Sequence, residues 1–192
     1  MFRTATILTF CLYASSSFAD WQVDPEGSHI GFASVKNDLI AENHSFTDLS
    51  GSVSSTGEAR ISVNLASVET LIPLRNERMQ TMLFETLQFP SAVVTSQIPV
   101  SAFTSLAVGD NKILSIDMVI ALHATQLEKS VPVKVTRSSI RSYEVTSLGP
   151  VIIHASQFAL AGGVEALRKI AGLQSIELMV PVTFDLRFVA AD

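Results

Sequence analysis

Four histidines are the side chains of this sequence best suited to acid–base or metal chemistry, and they lie far apart at His29, His44, His123 and His154. No two of them have a spacing such as H-x3-H, and the only cysteine, Cys11, lies near the N-terminus. The sequence therefore predicts no metal site. His44 and His123 lie beside predicted turns, so we expect them at the rim of a binding site, where they could meet a polar headgroup.

The sequence contains none of the short motifs that mark a nucleophile or a phosphate loop. There is no G-x-S-x-G and no histidine placed by a motif near a serine. Gly162-Gly163 could hold an anion at a helix N-terminus, but such a pair more often makes a turn. We therefore predict no catalytic residue.

Two arginines in the middle of the chain, Arg75 and Arg78, are the cations best placed to meet a ligand. They alternate with acidic residues, Glu77 between them and Glu85 beyond. We expect Arg75 to pair with a carboxylate of the sheet and hold its helix down. The alternative is that one of the two arginines contacts a carbonyl or a phosphate of a ligand.

These arginines lie in a segment where the period of the apolar residues changes. From residue 71 to 83 apolar and arginine residues recur at three and four, as on one helix face. Thr70 is a plausible N-cap, Pro73 is tolerated in a first turn, and Phe89-Pro90 ends the segment. A helix is therefore predicted over about 71–86.

Around this helix the pattern is that of strands, with apolar residues at every second position. Leu114, Ile116, Met118, Ile120 and Leu122 form the longest such run. A second short helix is predicted over about 163–171. Eight or more antiparallel strands at short spacing predict an all-β fold, an eight-stranded barrel closed by its first and last strands.

The N-terminus resembles a secretory signal peptide. Arg3 precedes an apolar run over 7–14, and Ser17-Phe18-Ala19 is a small-x-small cleavage site. We expect residues 1–19 to be removed and residues 20–192 to form one domain, exported most simply to a bacterial periplasm. No other apolar run suggests a membrane span.

Charge and hydropathy limit the class of partner. Loss of Arg3 leaves 12 of the 13 basic residues against 18 acidic ones, a net charge of −6, which argues against nucleic acid. The mean hydropathy of +0.37 is high for a chain without a membrane helix. The apolar excess requires a large core or a lined cavity.

Several landmarks resemble the YceI family of lipocalin-like, polyisoprenoid-binding periplasmic proteins. The most specific is a signature across the central helix, from Thr70 through the run at 75–79 and Leu83-Phe84-Glu85 to Phe89-Pro90. Weaker landmarks are Val23-Asp24 with Ser28, Ile30 and Phe32; Phe46 with Gly51; Leu122-His123-Ala124; and Phe158-Ala159-Leu160. The resemblance spans essentially the whole chain after the signal.

The sequence also departs from the pattern of that family. Ala124 and Ala159 replace a turn glycine and a late glycine, and His44 replaces a glycine. Gly27 replaces a histidine and Ala155 a late arginine, which indicates a divergent subgroup. The resemblance implies an extended barrel with an apolar tunnel that holds a long isoprenoid chain, as in quinones, and it implies no other cofactor.

We therefore expect a binding or carrier protein for a long apolar lipid, and not an enzyme. The expected residues of the tunnel or its plug are Phe32, Phe46, Met79, Met82, Phe84, Ile116, Met118, Phe158, Phe184 and Phe188. Arg75, Arg78, His44 and His123 are the headgroup candidates. Two alternative functions stay open: a lipid- or quinone-modifying enzyme that uses His44 or His123, and a partner-binding barrel with a filled core. A homodimer stays open as the assembly.

Overall fold

The structure, a computed structural model, describes residues 21–191, so the predicted signal peptide lies outside the described residues. The strands are β1 (Trp21–Val23), β2 (His29–Lys36), β3 (Ile40–Phe46), β4 (Leu49–Val53), β5 (Glu58–Asn64), β6 (Val68–Glu69), β7 (Ser91–Gln97), β8 (Asn111–Leu122), β9 (Thr125–Ser139), β10 (Ser142–Ser147), β11 (Val151–His154) and β12 (Met179–Ala190). The helices are α1 (Pro73–Arg78), α2 (Ser101–Thr104) and α3 (Ala161–Ile170). A π-helical turn (Met79–Leu83) follows α1, and 3-10 turns span Leu65–Ser67 and Ala155–Phe158.

Eight of the strands close into an antiparallel barrel in the order β1-β4-β5-β7-β8-β9-β10-β12, as the sequence predicted. Closure pairs the first and last strands, with Trp21 opposite Ala190 and Val23 opposite Phe188. Strand β12 continues past β1 to pair with β2. Strand β3 then pairs with β2, and β6 pairs with β3. The barrel is therefore longer on one side than on the other.

Strict alternation places the apolar side chains of the barrel inside it. On β9, Val131, Val133 and Val135 are buried, whereas the residues between them are exposed. This inner face supplies one wall of a long apolar interior. No helix in residues 21–191 is long and apolar enough to cross a membrane.

The central helix starts later and ends sooner than predicted. Thr70 is not its N-cap, because the Thr70 hydroxyl donates to Asn76 Oδ1 (2.6 Å) and the N-cap position belongs to Ile72. Leu71 has a φ of 62°, so the helix begins only at Pro73, whose fixed φ suits a first turn. After Arg78 the hydrogen bonds widen to the π pattern, with Phe84 N donating to Met79 O (2.9 Å).

The second helix, α3, lies against this π-helical turn. The approach is close at Gly163, where a Cβ atom would lie 2.7 Å from Met82 O and 2.8 Å from Leu83 Cα. Only a glycine fits there without a shift of backbone. We call residues 73–84 the cover, because they lie over one end of the barrel and α3 packs on them.

Two alanines occupy the left-handed backbone region that favours glycine. Ala124, in the two-residue turn between β8 and β9, and Ala159, after the 3-10 turn 155–158, both have a φ of 58°. Both are positions where the family resemblance led us to expect glycine. Both turns keep the left-handed backbone geometry, in which the Cβ atom of alanine comes too close to the following carbonyl oxygen.

We expect Ala124→Gly and Ala159→Gly each to raise the free energy of unfolding by about 0.5–1 kcal/mol. Relief of the left-handed strain outweighs the entropy that glycine adds to the unfolded chain. Ala171→Gly is the control, because Ala171 has a φ of −88° and should gain nothing. Urea denaturation of the three variants would measure this, and destabilisation at Ala124 and Ala159 would contradict it.

Candidate ligand-binding cavity

A cavity of about 330 Å³ runs through the barrel, in the size range of small-molecule pockets. Its walls come from all eight barrel strands, and Leu83, Phe84 and Val164 close it at the end under the cover. Among residues 21–191, none of the side chains that line it is charged. The interior therefore offers a long apolar chain a place out of water, and it offers an ion no partner.

Most of the side chains predicted to line a tunnel lie on this wall. Those that line it are Phe32, Phe46, Phe84, Ile116, Met118, Phe158, Phe184 and Phe188. The ring of Phe46 lies between those of Phe32 and Phe84, with centroid distances of 5.4 Å and 5.9 Å. Their contact with a ligand stays a prediction.

Met79 and Met82 do not line the cavity. Met79 is buried in the core beside it, and Met82 is half-buried outside the lining. The reason is the π-helical turn, which adds a residue to the turn and rotates the following side chains away from the spacing of an α-helix. Phe84, which was predicted, and Leu83, which was not, line the cavity, and the two methionines lie in the cover that plugs its end.

Arg75 makes the structural contact that the sequence predicted. Its guanidinium lies 2.8 Å from Glu42 Oε2 and donates to Thr70 O (2.6 Å), while Lys36 Nζ lies 2.7 Å from the same carboxylate oxygen. The hydrogen bond from Lys36 contributes most to a lowered pKa of Glu42. Arg75 thus joins α1 to β3, and neither Arg75 nor Arg78 lines the cavity.

The sequence predicted that His44 lies beside a turn at the rim of the site. In the structure it lies in β3 and is buried. Its Nε2 is 2.8 Å from Ser34 Oγ, its ring lies 5.1 Å from that of Phe32, and its Nδ1 has no partner among the described residues. Burial, followed by the positive charge of Arg75, lowers the pKa of His44. The ring packs behind Phe32 and is absent from the cavity wall.

This burial predicts a dependence of stability on pH. The folded state favours neutral His44, so the unfolded chain binds the proton first as the pH falls. The free energy of unfolding is therefore unaffected by His44 above its ordinary pKa of about 6.5. It decreases as the pH drops from there towards the lowered pKa of the folded state. The free energy of unfolding should fall by at most about 1.4 kcal/mol per pH unit, the limit for one proton. Urea denaturation between pH 7 and 5 should show this slope reduced in His44→Gln and retained in His154→Gln. Equal slopes would contradict the assignment.

The other three histidines are separated from the cavity and from one another. His123, with a φ of 50°, lies in the β8–β9 turn, where its Nε2 is 3.3 Å from Glu85 Oε2 and its ring is 4.2 Å from that of Phe89. It joins that turn to the chain after the cover. His29 and His154 are exposed. Over residues 21–191 no group of three or more His, Cys, Asp or Glu side chains could hold a metal ion.

The polar side chains at the far end of the cavity were not predicted. Ser54 and Ser55, in the turn between β4 and β5, and Thr104 of α2 line the cavity there. Phe103 lines the same end and is buried, and its carbonyl accepts a hydrogen bond from the Tyr143 hydroxyl (3.3 Å). No pattern in the sequence indicated that these side chains meet, or that the loop before β8 folds over the barrel.

The family model described as YceI-like domain matches residues 21–188. The fold is also similar to that of a polyisoprenoid-binding domain from Saccharophagus degradans, implicated in plant cell wall breakdown. That domain is 34% identical, with a TM-score of 0.87, over 89% of this chain and 98% of its own.

Two more distant structures share the fold. Burkholderia cenocepacia BcnA is 17% identical with a TM-score of 0.66, over 86% of this chain and 98% of BcnA. The Campylobacter jejuni YceI protein is 9% identical with a TM-score of 0.55, over 78% of this chain and 85% of its own. No curated protein sequence matches this chain.

Proposed function

The chain belongs to the YceI-like family, and on that premise we propose that it binds a long polyisoprenoid-type lipid inside its barrel and carries it in the periplasm. The observation that carries this proposal is the cavity, whose lining side chains include no charge and run from the cover to α2. The 34% identical domain described as polyisoprenoid-binding supports the class of ligand.

The energetics agree with a ligand held by its tail. Burial of apolar surface contributes about 25 cal/mol per Å², so covering a few hundred Å² of lipid tail supplies several kcal/mol before the cost of ordering. An isoprenoid chain has methyl branches along its length, which suit a wall built of aromatic and β-branched side chains. No ion pair is needed to hold such a tail.

The two rival functions receive less support. The family is one of polyisoprenoid-binding proteins and not of enzymes, and neither His44 nor His123 lines the cavity where a substrate would lie. A filled core, which the partner-binding alternative required, disagrees with a cavity of about 330 Å³.

Export to the periplasm rests on the signal-like residues 1–19. We expect N-terminal sequencing of the protein isolated from its cells to begin at Asp20, and cell fractionation to find it with periplasmic markers. A chain that keeps residues 1–19 and fractionates with cytosolic proteins would contradict this part of the proposal.

Lipid binding can be tested with the protein's own fluorescence, because Trp21 is the only tryptophan and lines the cavity. A long-tailed isoprenoid quinone, titrated into delipidated protein, should quench Trp21 saturably at one molecule per chain. The same quinone ring without a tail should quench only weakly at equal concentration. Absence of saturable quenching by the long-tailed quinone would overturn the proposed function.

A further inference from the structure

In the part of the chain that the structure describes, two of the side chains that line the cavity are exposed to solvent, and both carry a hydroxyl group. They are Ser55, in the turn between β4 and β5, and Thr104, at the end of α2. Ser54 lies beside them and is half-buried. We call Ser54, Ser55 and Thr104 the mouth.

The opposite end of the cavity is closed. Phe84, Leu160 and Val164 line it there and are all buried, with relative exposures of 7%, 6% and 9%. Phe84 is the last residue of the cover, and α3 packs on the cover through Gly163. The cavity therefore meets solvent at the mouth, and the cations of α1 lie at the wrong end to meet a headgroup there.

We propose, building on the function proposed above, that the lipid enters at the mouth and leaves its polar end there, and that this end is an uncharged hydrogen-bonding group. A hydroxyl, carbonyl or amide fits this chemistry, whereas a phosphate or carboxylate does not. The mouth thus sets which lipids of a given tail length the protein accepts.

The hydrogen-bonding capacity of the mouth matches a small neutral group. Ser54 Oγ accepts from Glu58 N (3.1 Å) and lies 2.8 Å from Thr56 Oγ1, so its bonding is partly used within the turn. The Thr104 hydroxyl has no side-chain hydrogen bond within residues 21–191. Thr104 can therefore both donate to and accept from a ligand.

Charged side chains near the mouth lie outside the cavity lining. Arg137 donates to Leu106 O (2.7 Å) and lies 5.8 Å from the centre of the Tyr143 ring. Arg60 and Lys129 share a groove with Ser54 on the outer surface of the barrel, where Glu58 lies beside them. A phosphate at the mouth would lose hydration without gaining a cation.

The test compares two lipids that differ only at the polar end, a C45 polyprenol and its monophosphate. Each competes with the long-tailed quinone that quenches Trp21. We expect the polyprenol to compete at least tenfold more strongly than the phosphate. Thr104→Arg should narrow or reverse this preference, because it places a cation at the mouth. Leu39→Arg, at an exposed residue between β2 and β3 outside the cavity lining and the cover, should leave the preference unchanged.

The entry route is tested separately by the rate at which the quinone quenches Trp21 in a stopped-flow experiment. Thr104→Phe should slow association of the quinone at least fivefold, whereas Leu74→Phe should not. The reverse pattern would overturn entry at the mouth.

Three results of the competition test would overturn the headgroup inference alone. They are equal competition by the two polyprenyl lipids, preference for the phosphate, and failure of both lipids while the quinone binds. Failure of the quinone as well would overturn the proposed function with it.

Discussion

Replacement of Val94 by tryptophan should abolish most lipid binding and leave the fold intact. Val94 is a half-buried residue of β7 that lines the cavity, so the indole would fill space that the lipid needs. We expect the affinity for the long-tailed quinone to fall at least tenfold. The ligand-free protein should keep its free energy of unfolding within about 1 kcal/mol, because the added side chain enters a void and not a packed core.

Val93→Trp is the matched control for this variant. Val93 precedes Val94 on the same strand and does not line the cavity, since alternate side chains of a strand point to opposite faces. Binding can be followed by isothermal titration calorimetry, which a second tryptophan does not disturb. A folded Val94→Trp variant that binds as tightly as Val93→Trp would show that the lipid does not occupy the barrel.

Gly163→Ala should loosen the cover and lower the stability of the protein. The new Cβ atom would lie 2.7 Å from Met82 O and 2.8 Å from Leu83 Cα, which are backbone atoms that cannot turn aside. Overpacking of this kind costs about 1–3 kcal/mol. Because Leu83 and Phe84 line the cavity, we also expect bound lipid to dissociate several-fold faster.

Gly162→Ala separates this contact from the effect of glycine on a helix. Gly162 lies in the same helix and has no atom within 4 Å of the position of a Cβ, so alanine there should gain about 0.5–1 kcal/mol. Thermal denaturation and lipid dissociation rates of the two variants give the comparison. Equal stability and equal rates would show that α3 does not hold the cover.

The barrel could be predicted because its signal is local and repeated. The alternation from Leu114 to Leu122 and from Val182 to Phe188 fixes both the strand and the face that turns inward. The contact of Arg75 with a carboxylate could be predicted in kind, since an arginine on a helix that covers a sheet needs a partner. Its partner, Glu42, lies 33 residues away, and no local pattern identifies it.

The errors come from features that depend on the tertiary structure. A π-helical turn is invisible to a spacing rule built on 3.6 residues, so the sequence could not separate Leu83 and Phe84, which line the cavity, from Met79 and Met82, which lie in the cover beside it. His44 follows a polar stretch that resembles a loop, yet β3 pairs with β2 and buries it beside Phe32. The mouth depends on the position of α2 against the barrel, and the spacing of apolar residues does not predict where a short helix in a loop packs.

The central claim is that the cavity holds a long isoprenoid lipid, and native mass spectrometry tests it most directly. The protein would be purified from its own cells without detergent, and the mass of the intact complex compared with that of the chain after lipid extraction. We predict one bound molecule per chain, which the extract identifies as a polyisoprenoid with an uncharged polar end. A chain that carries no lipid, and takes up none when incubated with isoprenoid quinones and polyprenols, would contradict the account.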